Sequence, residues 1–300
     1  MAKILVADGM DKAGIATLKE MGHTVVEEHY ELDQLKEKIV DFDCIVVRSA
    51  TKVREPLIDI AAESGLKLVI RGGVGVDNID VKYAEGKGIA VRNTPKASSA
   101  SVAELAIGHM FSLARHLYIS NVTMRNGEWN KKQYKGIELA GKTLGLIGSG
   151  RIGLETAKRA DALGMKVVYI NRKMHEVEGP WSLVSKEELF AQSDFISLHI
   201  PFIKEAGATI GQAEFDMMKD GVYLVNCARG GVVDEAALLK ALDSGKVAAA
   251  AVDVFEAEPT KNEALYTHPK VSLTPHIGAS TSEAQKRIGE EIVDIIKEVL

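Results

Sequence analysis

Short apolar runs recur along almost the whole chain, and amphipathic stretches lie between them. The first series runs Ile4-Leu5-Val6, Thr24-Val25-Val26, Cys44-Ile45-Val46-Val47, Leu68-Val69-Ile70 and Ile89-Ala90-Val91. Between these runs, Lys12 to Met21, Glu31 to Val40 and Pro56 to Ser64 carry apolar residues at helical spacing. Parallel strands need long crossovers and are buried on both faces, so this rhythm predicts a parallel sheet covered by helices. A second series begins near Gly141, with strands expected at Thr143 to Ile147, Lys166 to Ile170, Phe195 to His199, Val222 to Asn226, Val247 to Val252 and Val271 to Thr274. Between the series, Ser99 to about Met124 reads as one long helix, with Val102, Leu105, Ala106, Met110, Leu113 and Leu117 on one face. At the end, Ser280-Thr281-Ser282-Glu283 offers a capping box. A last helix follows, whose face of Ile288, Ile292, Ile295, Ile296 and Val299 needs a partner in one series or the other.

A chain of 300 residues is long enough for two domains, and 46% hydrophobic with 26% charged residues is an ordinary balance for a folded core. The longest apolar run, Val247 to Val252, falls far short of the ~20 residues of a membrane helix. The first residues read as a strand rather than a signal peptide, so a cytoplasmic location is expected. The two cysteines, Cys44 and Cys227, are too far apart in sequence for a zinc spacing and give no disulfide framework. A net charge of −5 without basic blocks argues against a nucleic-acid surface, yet leaves room for a few cations around a small anion. No metal site and no membrane partner are expected.

Gly148-Ser149-Gly150-Arg151-Ile152-Gly153 follows one expected strand and opens the helix through about Leu163. Its glycines allow a tight turn, close approach of backbone N–H groups to a pyrophosphate and close helix-strand packing, with the helix N-terminus favouring negative charge. A dinucleotide is therefore expected here. About 20 residues on, an NAD site places an Asp or Glu for the ribose. This chain has Asn171-Arg172-Lys173 instead. Asn171 can still meet a ribose hydroxyl, but it lacks the charge that repels a 2′-phosphate, and Arg172 can pair with one. NAD and NADP both stay open.

Polar clusters close three later strands: Asn226-Cys227-Ala228-Arg229-Gly230-Gly231, Asp253 to Pro259, and Thr274-Pro275-His276-Ile277-Gly278-Ala279. Singly, Arg229 reads as a surface ion-pair member, Glu258 as a loop carboxylate and His276 as a histidine satisfied in a turn. Together they fall where open α/β sheets bind ligands, and their chemistry is complementary. A planar bidentate donor suits a substrate carboxylate, an imidazole suits proton transfer near neutral pH, and a carboxylate beside it fixes its tautomer.

On these segments, with Asn93-Thr94-Pro95, Val102-Ala103-Glu104 and His199-Ile200-Pro201, the chain resembles the D-isomer-specific 2-hydroxyacid dehydrogenases over nearly its full length. The resemblance implies two Rossmann-like, doubly wound parallel-sheet α/β domains. The dinucleotide-binding domain, 96–279, would be inserted into a discontinuous substrate-binding domain, 1–95 plus 280–300. It implies catalytic roles for Arg229, Glu258 and His276. It implies cofactor contacts at Gly148, Gly150, Arg151, Ile152, Gly153, Asn171, Arg172, Ile200, Pro201, Cys227, Ala228, Asp253 (at the nicotinamide carboxamide), Gly278 and Ala279.

Within the family, the likeness is strongest to the 3-phosphoglycerate dehydrogenases, through Val47 to Val53, Arg71 to Asn78, Gly127-Glu128-Trp129, Val225 to Gly231 and His276 to Thr281. That likeness implies anion-binding groups at Arg48, Arg71 and Lys131, and a loop of Gly72, Gly73, Val74 and Gly75 whose N–H groups hold a carboxylate. The expected substrate is a small anionic 2-hydroxy or 2-oxo acid, with 3-phosphoglycerate and 3-phosphohydroxypyruvate, the serine-biosynthesis pair, placed first. Two departures set the chain apart from that subgroup and make the reaction class firmer than the substrate. Asn171-Arg172 looks like the NADP-using glyoxylate and hydroxypyruvate reductases, and Val74 stands where the nearest subgroup often has Thr. Formate dehydrogenases share the fold but use Gln where this chain has Glu258. Dinucleotide-sensing co-repressors of this fold keep the Arg, Glu and His, so a binding protein of that kind is the alternative from another class. The family also implies a homodimer built on the Ser99 to Trp129 region. Longer phosphoglycerate dehydrogenases add C-terminal regulatory domains, and with the chain stopping at its last helix no feedback module is expected.

Overall fold

The computed structural model describes residues 1–300. It divides into two compact units, Met1–Ser98 with Ala279–Leu300, and Ser99–Gly278.

The first unit contains β1 (Lys3–Val6), α1 (Lys12–Glu20), β2 (Thr24–Glu27), α2 (Leu32–Lys38), β3 (Cys44–Val47), α3 (Glu55–Glu63), β4 (Leu68–Arg71), α4 (Val81–Gly86) and β5 (Ala90–Asn93). Its five strands are all parallel, in the order β2-β1-β3-β4-β5. The strand order reverses between β1 and β3. β3 is buried at every position, as a central parallel strand must be. Apolar clusters lie on both faces, one built from Leu5, Ile45, Val69 and the helices bearing Leu35, Leu57 and Ile58.

The second unit contains α5 (Ser99–Ala114), α6 (Leu117–Arg125), β6 (Thr143–Ile147), α7 (Arg151–Ala162), β7 (Lys166–Ile170), β8 (Ser182–Leu183), α8 (Lys186–Gln192), β9 (Phe195–Leu198), α9 (Gln212–Met217), β10 (Val222–Asn226), α10 (Glu235–Ser244), β11 (Val247–Val252), α11 (Glu263–Tyr266) and β12 (Val271–Leu273). Seven parallel strands run in the order β12-β11-β10-β9-β6-β7-β8. Their carboxyl ends share one edge, and the order reverses between β6 and β9. α5 packs on α7 and against β10 and β11, so most of its circumference is buried.

The single long helix expected from Ser99 to Met124 is in fact two. His116 adopts φ 54°, a left-handed conformation that ends α5 and starts α6 in a new direction. Apolar residues recur on both sides of the break, which hides it from periodicity.

The last helix, α12 (Ser282–Val299), belongs to the first unit. Ile288, Ile292, Val293 and Ile296 join the cluster of Ile4, Leu18, Val46 and Ile70, which places the apolar face that had no partner in the sequence. α12 crosses α1 where a side chain on Gly14 would press on the Gly289 carbonyl at 3.3 Å. The expected Ser280–Glu283 capping box does not form. Thr281 is the N-cap and accepts from the Ala284 N–H at 3.1 Å, so the third helical position is an alanine with no carboxylate to reach back.

Candidate active site

Gly148 leaves β6 with φ 103°, a backbone that disfavours any side chain, and a Cβ there would lie 2.5 Å from the His199 carbonyl. That approach joins the ends of β6 and β9 at the reversal of strand order, where open α/β sheets take ligands. A Cβ on Gly153 would overlap the Gly148 carbonyl, whereas Gly150 faces open space. Gly150 caps α7 without a side-chain hydrogen bond, and no acidic residue stands in the first turn. The Arg151 and Ile152 N–H groups are therefore left for an anion. This cradle fits a pyrophosphate.

Asn171, at the end of β7, is committed elsewhere. Its amide nitrogen donates to Ser149 Oγ at 2.9 Å and to the His175 carbonyl at 2.7 Å, and its oxygen accepts from the His175 N–H at 3.1 Å. It therefore braces the glycine turn and its own loop. Arg172 and Lys173 beside it are exposed. His199 is half-buried, but its ring is enclosed: Nδ1 is buried, Nε2 lies 3.0 Å from Ser197 Oγ, and this desolvation pushes its pKa down to about 4.

Cys227, Ala228, Asp253 and Gly278 are buried at the ends of β10, β11 and β12, while Ile200 and Pro201 follow β9. Burial raises the Cys227 thiol, which keeps it protonated. Asp253 serves the backbone. Its carboxylate accepts from Thr274 Oγ1 at 2.6 Å, Ile277 N–H at 2.9 Å and Gly278 N–H at 3.0 Å, and its carbonyl accepts from His276 N–H at 2.8 Å. Together these hold His276 at φ 53°.

His276 Nδ1 meets Glu258 Oε2 at 2.8 Å. Burial raises the Glu258 carboxyl. The hydrogen bond and charge of His276, the Phe255 N–H and the Arg229 charge outweigh that and hold it below the ordinary carboxylate value. Arg229 donates to the Ala228 carbonyl at 2.6 Å, and Gly230 is pressed so closely on the Phe255 carbonyl that a side chain there would overlap it. The structure thus brings Arg229, Glu258 and His276 together.

Sequence reasoning missed what steadies the Glu258 loop. Glu235, in the first turn of α10, is buried, and its carboxylate accepts from Glu256 N–H at 2.9 Å and Asn262 Nδ2 at 2.7 Å.

In the first unit, Asp8 follows β1 and accepts from the N–H groups of Arg48 at 2.6 Å and Thr51 at 3.0 Å and from Thr51 Oγ1 at 2.6 Å. Asn78 Nδ2 donates to the carbonyls of the same two residues at 2.7 Å each. The Arg48 turn is therefore fixed from two sides. The Arg48 stem lies near Gly72, and the Arg71 guanidinium folds over Gly73, whose φ of 146° disfavours any side chain.

The expectation that four N–H groups of this loop are available needs correction. Gly72 donates to Val47 at 2.8 Å and Gly73 to Arg71 at 2.9 Å, so Val74 and Gly75 are the two left to meet an anion. Lys131 is exposed in the irregular stretch after Trp129. No cluster of metal-ligating side chains occurs, and no helix is long and apolar enough to cross a membrane.

The family model for the D-isomer specific 2-hydroxyacid dehydrogenase, NAD binding domain, matches residues 107–278. The chain is similar to the D-3-phosphoglycerate dehydrogenase of Methanocaldococcus jannaschii, 47% identical over an alignment of 304 positions that covers 100% of this chain and 58% of that protein. It is also similar to the hydroxypyruvate reductase of Thermotoga maritima, 48% identical over an alignment of 302 positions that covers 99% of this chain and 98% of that one. It thus spans little more than half of the first relative and nearly all of the second. Among solved structures, a glyoxylate reductase from Paecilomyes thermophila superposes with a TM-score of 0.89 at 34% identity, covering 99% of this chain and 94% of that one.

Proposed function

The chain belongs to the D-isomer-specific 2-hydroxyacid dehydrogenase family, and from that premise we propose that it interconverts D-3-phosphoglycerate and 3-phosphohydroxypyruvate. The observation that carries the chemistry is the 2.8 Å contact of His276 with Glu258, which leaves Nε2 of a third-exposed imidazole without a protein partner. In oxidation, His276 Nε2 takes the proton of the C2 hydroxyl, and in reduction it returns the proton to the carbonyl oxygen. A bound nicotinamide dinucleotide would supply the hydride acceptor for oxidation at C2 and the hydride donor for reduction. Glu258 keeps the imidazole in the Nδ1–H tautomer and stabilises its charged form. Arg229 pairs with the substrate carboxylate and orients C2. The Gly148–Gly153 turn would hold the pyrophosphate, and Ile200, Pro201, Ala228, Gly278 and Ala279 would contribute to the rest of the dinucleotide site.

Arg48 and Arg71, gathered at the Gly72–Gly73 turn, support a substrate with a second anionic group. Val74 and Gly75 offer N–H groups to a carboxylate, and Lys131 adds an exposed cation. A second reading, an NADPH-dependent hydroxypyruvate or glyoxylate reductase, is favoured by Asn171-Arg172 and by the near full-length match to the Thermotoga maritima protein. Assaying 3-phosphohydroxypyruvate, hydroxypyruvate and glyoxylate, each with NADH and NADPH, separates the two. The first reading requires the phosphorylated acid to have the highest kcat/KM, and a preference for hydroxypyruvate or glyoxylate selects the second.

The exposed Phe111, Leu117, Val122, Met124 and Trp129 crowd one stretch of chain, which supports a homodimer covering them. A sedimentation mass of one chain would refute the dimer.

A further inference from the structure

His109 lies in the middle of α5, and 4% of its surface is exposed. Its Nε2 is 3.0 Å from Thr274 Oγ1, and that hydroxyl has one proton. The proton is committed to Asp253 Oδ1 at 2.6 Å, because an ionised carboxylate can only accept. Thr274 Oγ1 must therefore accept from His109, which fixes the imidazole as the Nε2–H tautomer. Burial lowers the His109 pKa, partly opposed by the Asp253 charge, so the ring is neutral at working pH.

The hydrogen bonds run in one direction from α5 to the residues around His276. His109 donates to Thr274, Thr274 donates to the Asp253 carboxylate, and that carboxylate accepts the N–H groups of Ile277 and Gly278, while the His276 N–H goes to the main-chain carbonyls of Asp253 and Thr274. His276 itself sits at φ 53°, a conformation that costs a non-glycine residue about 1 kcal/mol or more and persists only where its surroundings enforce it. Asp253 is the enforcing group, and its buried carboxylate has no cation in contact. Its rotamer is set by the donors around it, and Thr274 is the one held in turn by a buried helix side chain.

We propose that His109 is a positioning residue for His276, acting through Thr274 and Asp253 to hold the left-handed turn on which the imidazole is mounted. This deepens the assignment of His276 as acid and base and rests on it. His109→Leu removes the donor, and Asp253 then loses the constraint on its Thr274 partner. His109→Gln keeps an N–H donor of similar reach. Thr274→Val keeps the side-chain shape and deletes the link itself. Ser112→Ala removes a different α5 to β12 contact, Ser112 Oγ to Ser272 Oγ at 3.3 Å, and serves as the packing control.

The test uses the whole chain labelled with 13C-histidine. The His276 resonance is assigned by its disappearance in His276→Ala, and its titration is followed alongside kcat, KM and Tm. His109→Leu and Thr274→Val are expected to lower kcat about tenfold, the effect of one oriented hydrogen bond, with KM changed less. They are expected to move the His276 titration by about half a pH unit or more, as its geometry against Glu258 loosens. His109→Gln is expected to restore both, and Ser112→Ala to change neither. A wild-type His276 titration and kcat in His109→Leu and Thr274→Val, whatever happens to Tm, would overturn the proposal. If His109→Leu does not fold, Thr274→Val decides by the same two readouts. Full turnover in His276→Ala would instead overturn the acid–base assignment, while the titration would still report whether His109 positions the ring.

Discussion

Asn171 donates its side-chain amide to Ser149 Oγ at 2.9 Å, which ties the end of β7 to the glycine turn after β6. The residue where an NAD site would put a carboxylate is thus a brace, and the exposed groups next to it are the cations Arg172 and Lys173. A 2′-phosphate there would gain charge-assisted hydrogen bonds and meet no repelling charge from Asn171. Replacing Arg172 and Lys173 together with Ala should raise KM for NADPH about 10- to 100-fold and KM for NADH about twofold or less. Equal changes for both cofactors would leave these residues without a part in the choice.

Arg48 separates the two substrate readings. Asp8 and Asn78 lock its backbone, so its side chain is presented from a fixed turn. Arg48→Ala is expected to raise KM for 3-phosphohydroxypyruvate about tenfold or more, the loss of one charged hydrogen-bond donor, and to change KM for glyoxylate far less. Parallel changes for both acids would make Arg48 structural.

How much of this was legible in the sequence depends on distance along the chain. Buried parallel strands announce themselves as local apolar runs, and Gly148 to Gly153 is a local turn. Both could be read directly, as could the three polar clusters that close β10, β11 and β12. The supports of the site could not. Asp8 meets Arg48 40 residues away, Glu235 meets Glu256 21 away, and His109 meets Thr274 165 away. Each is an ordinary polar residue until the fold supplies its partner. The left-handed His116 has no glycine to mark it, which is why two helices read as one.

Glu258 should shape the acid side of stability. Its carboxyl is held below the ordinary value of 4.5, so its contribution is whole above that pH and is lost as pH falls through the lower folded value. Glu258→Gln should therefore flatten stability against pH in that window, measured by urea unfolding at a series of pH values. The same variant should lower kcat, since a neutral amide cannot stabilise an imidazolium as a carboxylate does. An unaltered acid limb would mean that Glu258 is not ionised against His276 in the folded protein.

His199 titrates in the opposite chemical sense with the same stability sign. Its folded pKa is depressed from 6.5 to about 4 by burial, so the unfolded chain binds the extra proton between those values. Stability should fall with decreasing pH across that window, by up to about 3 kcal/mol for the full shift. His199→Gln should remove this slope even if it lowers stability overall. A slope as steep as in wild type would place the titrating group elsewhere.

The most direct measurement is the kcat of His276→Ala for 3-phosphohydroxypyruvate at saturating cofactor, where general acid–base catalysis contributes about 10²- to 10⁴-fold. The expected result is a loss of that size with cofactor affinity nearly unchanged, and turnover within threefold or so of wild type would contradict the role of His276.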